Sequence, residues 1–287
     1  MRSALNFRSC ILKLPACLGV IAGCLFSNIA LSQQVIPLSD YAGHPNLKVV
    51  EVTIDGKKFD FLFDTGAGVT LVTPGVLQHA GKESYGSSVG YRMKGEKVEY
   101  KMCDSLLVQL GGYSFFHRQV GVWDVNKVLP KDWPQIHGVI SLATFEESCI
   151  SLDLGNNQII VESESGCTQK MNSDKLVNAV FANGFSGMEN SIFIEEPKNG
   201  NTYRFLMDSG NLDKVKVSYA TCHDWGIVPD TTSDRQDVGH WNYSLSDKSI
   251  QIPTVVDKII YDGVFNFDLM ALHVITISFY DKKVSIR

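Results

Sequence analysis

Two short carboxylate motifs stand 144 positions apart in this chain of 287 residues: Phe61-Leu62-Phe63-Asp64-Thr65-Gly66 and Phe205-Leu206-Met207-Asp208-Ser209-Gly210. Each is an apolar run that feeds an Asp, a hydroxyl residue and a Gly. A lone Asp before Gly commonly does no more than cap a turn, but the same context occurring twice points to a paired use. Two carboxyls a hydrogen bond apart cannot both ionise cheaply, so such a pair holds one proton between neutral and mildly acidic pH. The charged member can draw a proton from a shared water, and the protonated member can donate to a substrate carbonyl. Peptide hydrolysis without a metal or a covalent intermediate follows from that arrangement. Gly66 and Gly210 let the backbone turn sharply with no side chain crowding the carboxylate. Thr65 and Ser209 can hydrogen-bond across the two halves and fix the loops.

The elements that must position these residues are themselves repeated. Upstream, Asp55-Gly56 lines up at the same offset with Asn199-Gly200, and both are signals for a tight hairpin turn that needs positive φ at its centre. Downstream, residues 138–161 match 263–286 without a gap, from Gly138-Val139-Ile140 and Gly263-Val264-Phe265 onward. Both stretches alternate apolar and polar residues around a polar turn, Gly155-Asn156-Asn157 or Asp281-Lys282, which reads as a hairpin. The chain therefore holds two copies of one β-rich unit. The Asp-to-Gly spacing is 74 residues in the first copy (Asp64 to Gly138) and 55 in the second (Asp208 to Gly263), so the first carries 19 more.

The N-terminus differs from the rest. Arg2, Arg8 and Lys13 precede an apolar stretch over residues 14–31, with no acidic residue before Asp40, which is a signal-peptide pattern over 1–32. Two processing sites are readable. Ala30-Leu31-Ser32 suits a general signal peptidase, whereas Ile21-Ala22-Gly23-Cys24 resembles a lipobox that would leave Cys24 as a lipid anchor. The apolar run past Cys24 favours the first, and either exports the protein to a periplasmic or secreted location. Removing 1–32 leaves 23 basic against 31 acidic residues, taking the formal charge from −5 to −8. An acidic surface argues against nucleic acid or an anionic membrane as partner. Cys103, Cys149, Cys167 and Cys222 remain, and in an oxidising compartment they form either two disulfides or buried free thiols.

These signals divide the chain into a polar leader over 33–45, a first lobe over 46–161, a linker over 162–190 and a second lobe over 191–287. In the linker, Asn172-Ser173-Asp174 followed by Leu176, Val177, Val180 and Phe181 reads as a short capped helix stopped by Gly184.

Taken together, the motifs resemble the aspartic peptidase clan, specifically bacterial retropepsin-like proteins with two lobes fused in one polypeptide, as in pepsins. Asp64-Thr65-Gly66 and Asp208-Ser209-Gly210 match the family's catalytic triplets. Gly138-Val139-Ile140-Ser141 and Gly263-Val264-Phe265-Asn266 look like its later element, which packs beside the catalytic loop. The resemblance implies an all-β, mostly antiparallel fold of two tandem β-barrel lobes, a polypeptide substrate, no cofactor or metal, and a monomer that carries both half-sites. It also implies a flap. The best fit is the hairpin in the first-copy insert, where Val89-Gly90-Tyr91-Arg92-Met93 and Lys97-Val98-Glu99-Tyr100 flank Lys94-Gly95-Glu96, with Tyr91 placed to contact a bound peptide. Three positions depart from the family. Ser141 and Asn266 stand where it has Gly, and Asn211 where it has a small residue, so two side chains are expected in a crowded spot near the dyad.

Other chemistries fit less well. The seven His residues show no His-Glu-x-x-His pair or comparable ligand spacing, against a zinc hydrolase. Gly184-Phe185-Ser186-Gly187-Met188 misses the Gly-x-Ser-x-Gly pattern of serine hydrolases by one position. The expected function is an exported aspartic endopeptidase with Asp64 and Asp208 sharing one water. The alternative is a catalytically weakened module of the same fold in the cell envelope, holding an extended peptide by strand-like pairing.

Overall fold

The computed structural model describes residues 33–184, 187–230, 232–243, 245 and 249–287. The expected signal peptide over residues 1–32 and residues Phe185 and Ser186 of the serine-hydrolase near-miss lie outside the described residues.

Both Asx-Gly signals form the expected hairpins. Asp55 and Gly56 take φ of 46° and 77°, and Asn199 and Gly200 take 53° and 80°, the left-handed pair that a two-residue hairpin turn needs. The first turn joins strands His44–Ile54 and Lys57–Phe63, and the second joins Ser191–Lys198 and Asn201–Met207. Each motif strand then pairs in parallel with the downstream element of its own copy. Phe61, Leu62 and Phe63 face Gly138, Val139 and Ile140, while Phe205, Leu206 and Met207 face Gly263, Val264 and Phe265. The glycine in each partner is a packing requirement. A Cβ on Gly138 would lie 2.1 Å from the Phe61 ring, and one on Gly263 would lie 2.2 Å from the Phe205 ring.

Around these pairs the two copies build one sheet each. The first is eight-stranded and ends in the hairpin Tyr85–Tyr91 and Lys97–Leu110; the second is seven-stranded and ends in Arg235–Tyr243. A third sheet of six strands takes elements from both copies, and most pairings in all three sheets are antiparallel. At its centre Cys149–Asp153 runs antiparallel to Ile275–Ser278, with Ser151 opposite Thr276 and their hydroxyls 2.8 Å apart. Because 151 and 276 are equivalent positions of the repeat, this pair lies on the two-fold relating the copies. The core beneath is aromatic and aliphatic, with Phe61, Phe63 and Phe145 buried in one lobe and Phe205, Tyr243 and Phe265 in the other.

The segments at the edges of the repeat are more structured than the sequence suggests. Residues 33–45 contribute strands Gln34–Pro37 and Ser39–Tyr41, each paired into a sheet. The linker holds a helix, Glu164–Ser173, which ends where one was expected to begin. Ser163 caps it by accepting from the Gly166 N–H. Leu176, Val177, Val180 and Phe181 instead lie in strands Lys175–Val177 and Ala179–Ala182, which extend the six- and seven-stranded sheets. β-branched and aromatic residues suit an open sheet edge better than a helix. The cysteines divide between the two options: Cys149 and Cys167 form a disulfide that ties this helix to the six-stranded sheet, whereas Cys103 and Cys222 are buried free thiols.

The disulfide closes a loop with a sequence separation of 18. Its reduction, or Cys149→Ser with Cys167→Ser, is expected to cost about 3 kcal/mol of stability, read as the difference between denaturant curves with and without reductant.

Candidate active site

Asp64 and Asp208 each follow the last residue of a buried strand. The Asp64 N–H donates to the Ile140 carbonyl at 3.0 Å, which holds the first loop against its parallel neighbour. The structure brings the two carboxyls together, hydrogen-bonded to one another across the lobes. Each is oriented by its own loop. The Gly66 N–H donates to Asp64 Oδ1 and the Gly210 N–H to Asp208 Oδ1, both at 2.9 Å.

Thr65 and Ser209 lie fully buried and lock the loops to each other. The Thr65 N–H donates to Ser209 Oγ at 3.0 Å and the Ser209 N–H to Thr65 Oγ1 at 2.9 Å. The Thr65 hydroxyl in turn donates to the Met207 carbonyl at 2.8 Å. Every bond in this set crosses from one copy to the other. The two glycines are required for a more specific reason than a sharp turn. A Cβ on Gly66 would sit 2.4 Å from the carboxyl carbon of Asp208, and one on Gly210 would sit 2.9 Å from that of Asp64. Each glycine makes room for the other copy's carboxyl.

The dyad lies at the floor of a cleft of about 480 Å³. One wall, from the first lobe, is apolar: Leu47, Leu62, Leu71, Trp123, Leu129 and Trp133. The second lobe supplies Leu206, Leu212 and Tyr261. The insert hairpin roofs the cleft with Tyr91, Arg92 and Met93, and its turn is closed by Arg92 N–H to the Glu96 carbonyl and Gly95 N–H to the Arg92 carbonyl. Tyr91 lines this space, and its ring is largely exposed. A larger cavity of about 880 Å³ is lined by Phe115, His117 and Asn190 among others, but contains neither Asp. Chemistry, not size, selects the dyad cleft. Among the described residues no group of three or more His, Cys, Asp or Glu is placed to hold a metal ion.

A sequence model of the aspartyl protease family matches residues 50–142, the span that carries Asp64 and the insert hairpin. Over that span the first lobe is similar to the aspartyl protease family. Comparison with curated proteins by sequence finds no match. Among solved structures, this chain is similar to conglutin gamma, a basic 7S globulin from lupine seeds, at 8% identity and a TM-score of 0.55, covering 89% of this chain and 94% of that one. The basic 7S globulin from soybean is similar at 8% identity and a TM-score of 0.52, covering 88% and 94%. Those likenesses span both lobes and establish a shared bilobal fold.

In this bilobal fold the side chains at the three departures do not reach the dyad. Ser141 Oγ accepts from the Ala143 N–H, capping a short 3-10 turn, and lies 3.0 Å from Thr70 Oγ1. Asn266 caps the helix Phe267–Ala271 by accepting from the Leu269 N–H, and its amide donates to the Asp213 carbonyl. The Asn211 amide is spent locally, donating to the Lys214 carbonyl and accepting from the Asp213 N–H, while its own backbone N–H serves Asp208. The side chains expected to crowd the dyad are helix and turn caps. Trp123 and Trp133, readable from sequence only as core or cleft lining, line the cleft, whereas Leu47 had no signal because the wall comes from separate segments with no shared motif. Trp225 and Trp241 go elsewhere, packing 5.3 Å apart under Lys198.

Burial is the largest influence on both acids. It raises Asp64 above the ordinary carboxylate value despite hydrogen bonds from Gly66, Asp208 and Ala67 that act the other way. It raises Asp208 well above that value, with the charge of Asp64 adding to the effect. Desolvation therefore moves both acids of the pair upward.

Two predictions follow from this geometry. Gly66→Ala should cost about 1–3 kcal/mol through overpacking, more than Gly210→Ala, in the order of the two clashes and as read by chemical denaturation. For pH, a carboxyl whose folded pKa lies above its unfolded one adds stability below about pH 4 and loses it as pH rises through the folded value. The wild type should thus lose stability relative to Asp208→Asn as pH rises above about 4, and parallel curves would contradict the raised Asp208.

Proposed function

We propose that this chain is an exported aspartic endopeptidase that cleaves extended polypeptides with a water activated between Asp64 and Asp208. The observation that carries the reading is the hydrogen-bonded carboxyl pair, one from each copy, at the floor of a roofed cleft. In the singly protonated dyad, Asp64 accepts a proton from the attacking water as its oxygen bonds to the scissile carbonyl carbon. Asp208 gives its proton to the carbonyl oxygen, so a neutral tetrahedral diol forms. Collapse returns a hydroxyl proton to Asp208 and passes the proton held on Asp64 to the departing amine nitrogen as the C–N bond breaks. The dyad ends as it began.

The cleft favours an extended chain with an apolar side chain against the Leu47, Trp123 and Trp133 wall, with Tyr91 covering the backbone. Both half-sites belong to one chain, so the enzyme works as a monomer. Export is supported by the basic-then-apolar pattern of residues 1–32 and by the Cys149–Cys167 disulfide, a linkage that persists in oxidising compartments. The mature protein is periplasmic or secreted, or held by lipid at Cys24 if that processing site is used.

Asp64→Asn and Asp208→Asn, each near-isosteric, should keep the fold and lower hydrolysis of an unfolded polypeptide by roughly 10²–10⁴-fold. Wild-type specific activity should be independent of enzyme concentration, and its pH profile bell-shaped between pH 3 and 8. Comparable turnover in either variant would refute the shared-water dyad, and recovery of saturably bound, uncut peptide would establish the binding-module alternative instead.

A further inference from the structure

The insert hairpin is not a free arm. Its tip is fastened to the second lobe by two kinds of contact. The Ile260 N–H donates to the Met93 carbonyl at 2.9 Å, a backbone bond between the roof and the loop that follows strand Ile250–Asp257. Beside it, Lys94 Nζ lies 2.9 Å from Asp257 Oδ1. Lys94 is 41% exposed, but the Asp257 side chain is fully buried. The same carboxylate receives Lys216 Nζ at 3.3 Å on its other oxygen, and Lys216 is also 3.7 Å from Asp213. Gly95 closes the contact, since a Cβ there would lie 3.3 Å from Ile260 Cγ2.

A buried carboxylate needs partners, and this one draws on both lobes. Burial alone pushes Asp257 up, and Lys94 with Lys216 brings it below the ordinary carboxylate value. Lifting the hairpin would strip Asp257 of one cation and expose it to water, so the roof is held by an ionic contact and a backbone bond together. Residues 91–93 of the same hairpin line the cleft above the two Asp residues.

We propose that Lys94 and Asp257 are positioning residues that latch the hairpin shut over the dyad, so that an extended polypeptide enters only when this contact opens. The proposal rests on the peptidase reading for its consequence, but the latch itself is a property of the fold and is tested without turnover.

The test is amide hydrogen exchange of the full chain at the Ile260 N–H, with the Arg92 and Gly95 amides, bonded inside the hairpin, as internal controls. Lys94→Met should speed Ile260 exchange about tenfold, since one partner of a half-buried pair is lost, and Lys94→Arg should restore protection. The Arg92 and Gly95 amides should stay as in the wild type, and 1 M NaCl should act in the same direction as Lys94→Met. In the cleavage assay, Lys94→Met should raise kcat/KM for an unfolded protein more than kcat, because entry is eased and the chemistry is untouched. Unchanged Ile260 exchange in Lys94→Met would overturn the latch, as would equal acceleration at Arg92 and Gly95, which would mean that the hairpin itself unravels. Exchange that responds as expected in a protein with no hydrolysis would keep the latch and refute only the peptidase reading.

Discussion

Two like carboxyls buried against each other are the constraint to which the rest of this structure answers. Left to themselves, Asp64 and Asp208 would separate or seek water, since neither the second charge nor the desolvation of the first is cheap. They remain paired because the loops bearing them are cross-bonded through Thr65 and Ser209, a set of buried hydrogen bonds in which every donor belongs to one copy and its acceptor to the other. Gly66 and Gly210 then leave the space each carboxyl occupies. Burial and mutual repulsion favour a protonated carboxyl in the pair, and a pair holding a single proton is able to act as acid and base at once.

The two-fold that makes this possible is fixed at a second place far from the dyad in sequence. Ser151 faces Thr276 in the six-stranded sheet, and the equivalence of those positions means that the copies are aligned at both ends by self-complementary contacts. Around Ser151 the sheet is polar inside: Glu162 accepts from Ser151 and Lys170, and the Cys149–Cys167 disulfide pins the same helix. One end of the axis carries the paired carboxyls and the other carries alignment. Misalignment at the second would be felt as a displaced carboxyl at the first, where positions matter to a fraction of an ångström.

What the sequence made legible follows from repetition and local turn chemistry. The Asx-Gly turns, the motif strands, the later Gly-Val elements and the insert hairpin were readable because each has a short-range signal and, mostly, a second copy. The segments outside the repeat were misread for the same reason in reverse. Residues 33–45 look polar and unstructured alone but pair at sheet edges, where the partner strand supplies what the local pattern lacks. Leu176 and Phe181 have helical spacing on paper, yet two sheet edges claim them. Ser141 and Asn266 were placed near the dyad by analogy, whereas their side chains turn to cap the elements that follow, Ser141 accepting from the Ala143 N–H two residues on and Asn266 from the Leu269 N–H three residues on, a local demand that their residue types already encode.

The asymmetry between the copies is clearest at one pair of equivalent positions. Val72 and Val217 face Gly138 and Gly263 in equivalent registers, and they pair in turn with Val122 and Val256. The next residues along, Trp123 and Asp257, therefore occupy equivalent positions. Trp123 forms part of the apolar wall of the cleft, while Asp257 is buried and receives Lys94 from the hairpin. A shared dyad needs one roof, not two, and the copy with the longer Asp-to-Gly spacing supplies it. Once that roof reaches across the axis, the opposite lobe has no use for a second apolar wall at the equivalent place, but it does need an anchor for the tip. A carboxylate there is costly when unpaired and stable when the roof is down, so the same difference that breaks the symmetry also gives the closed state its preference.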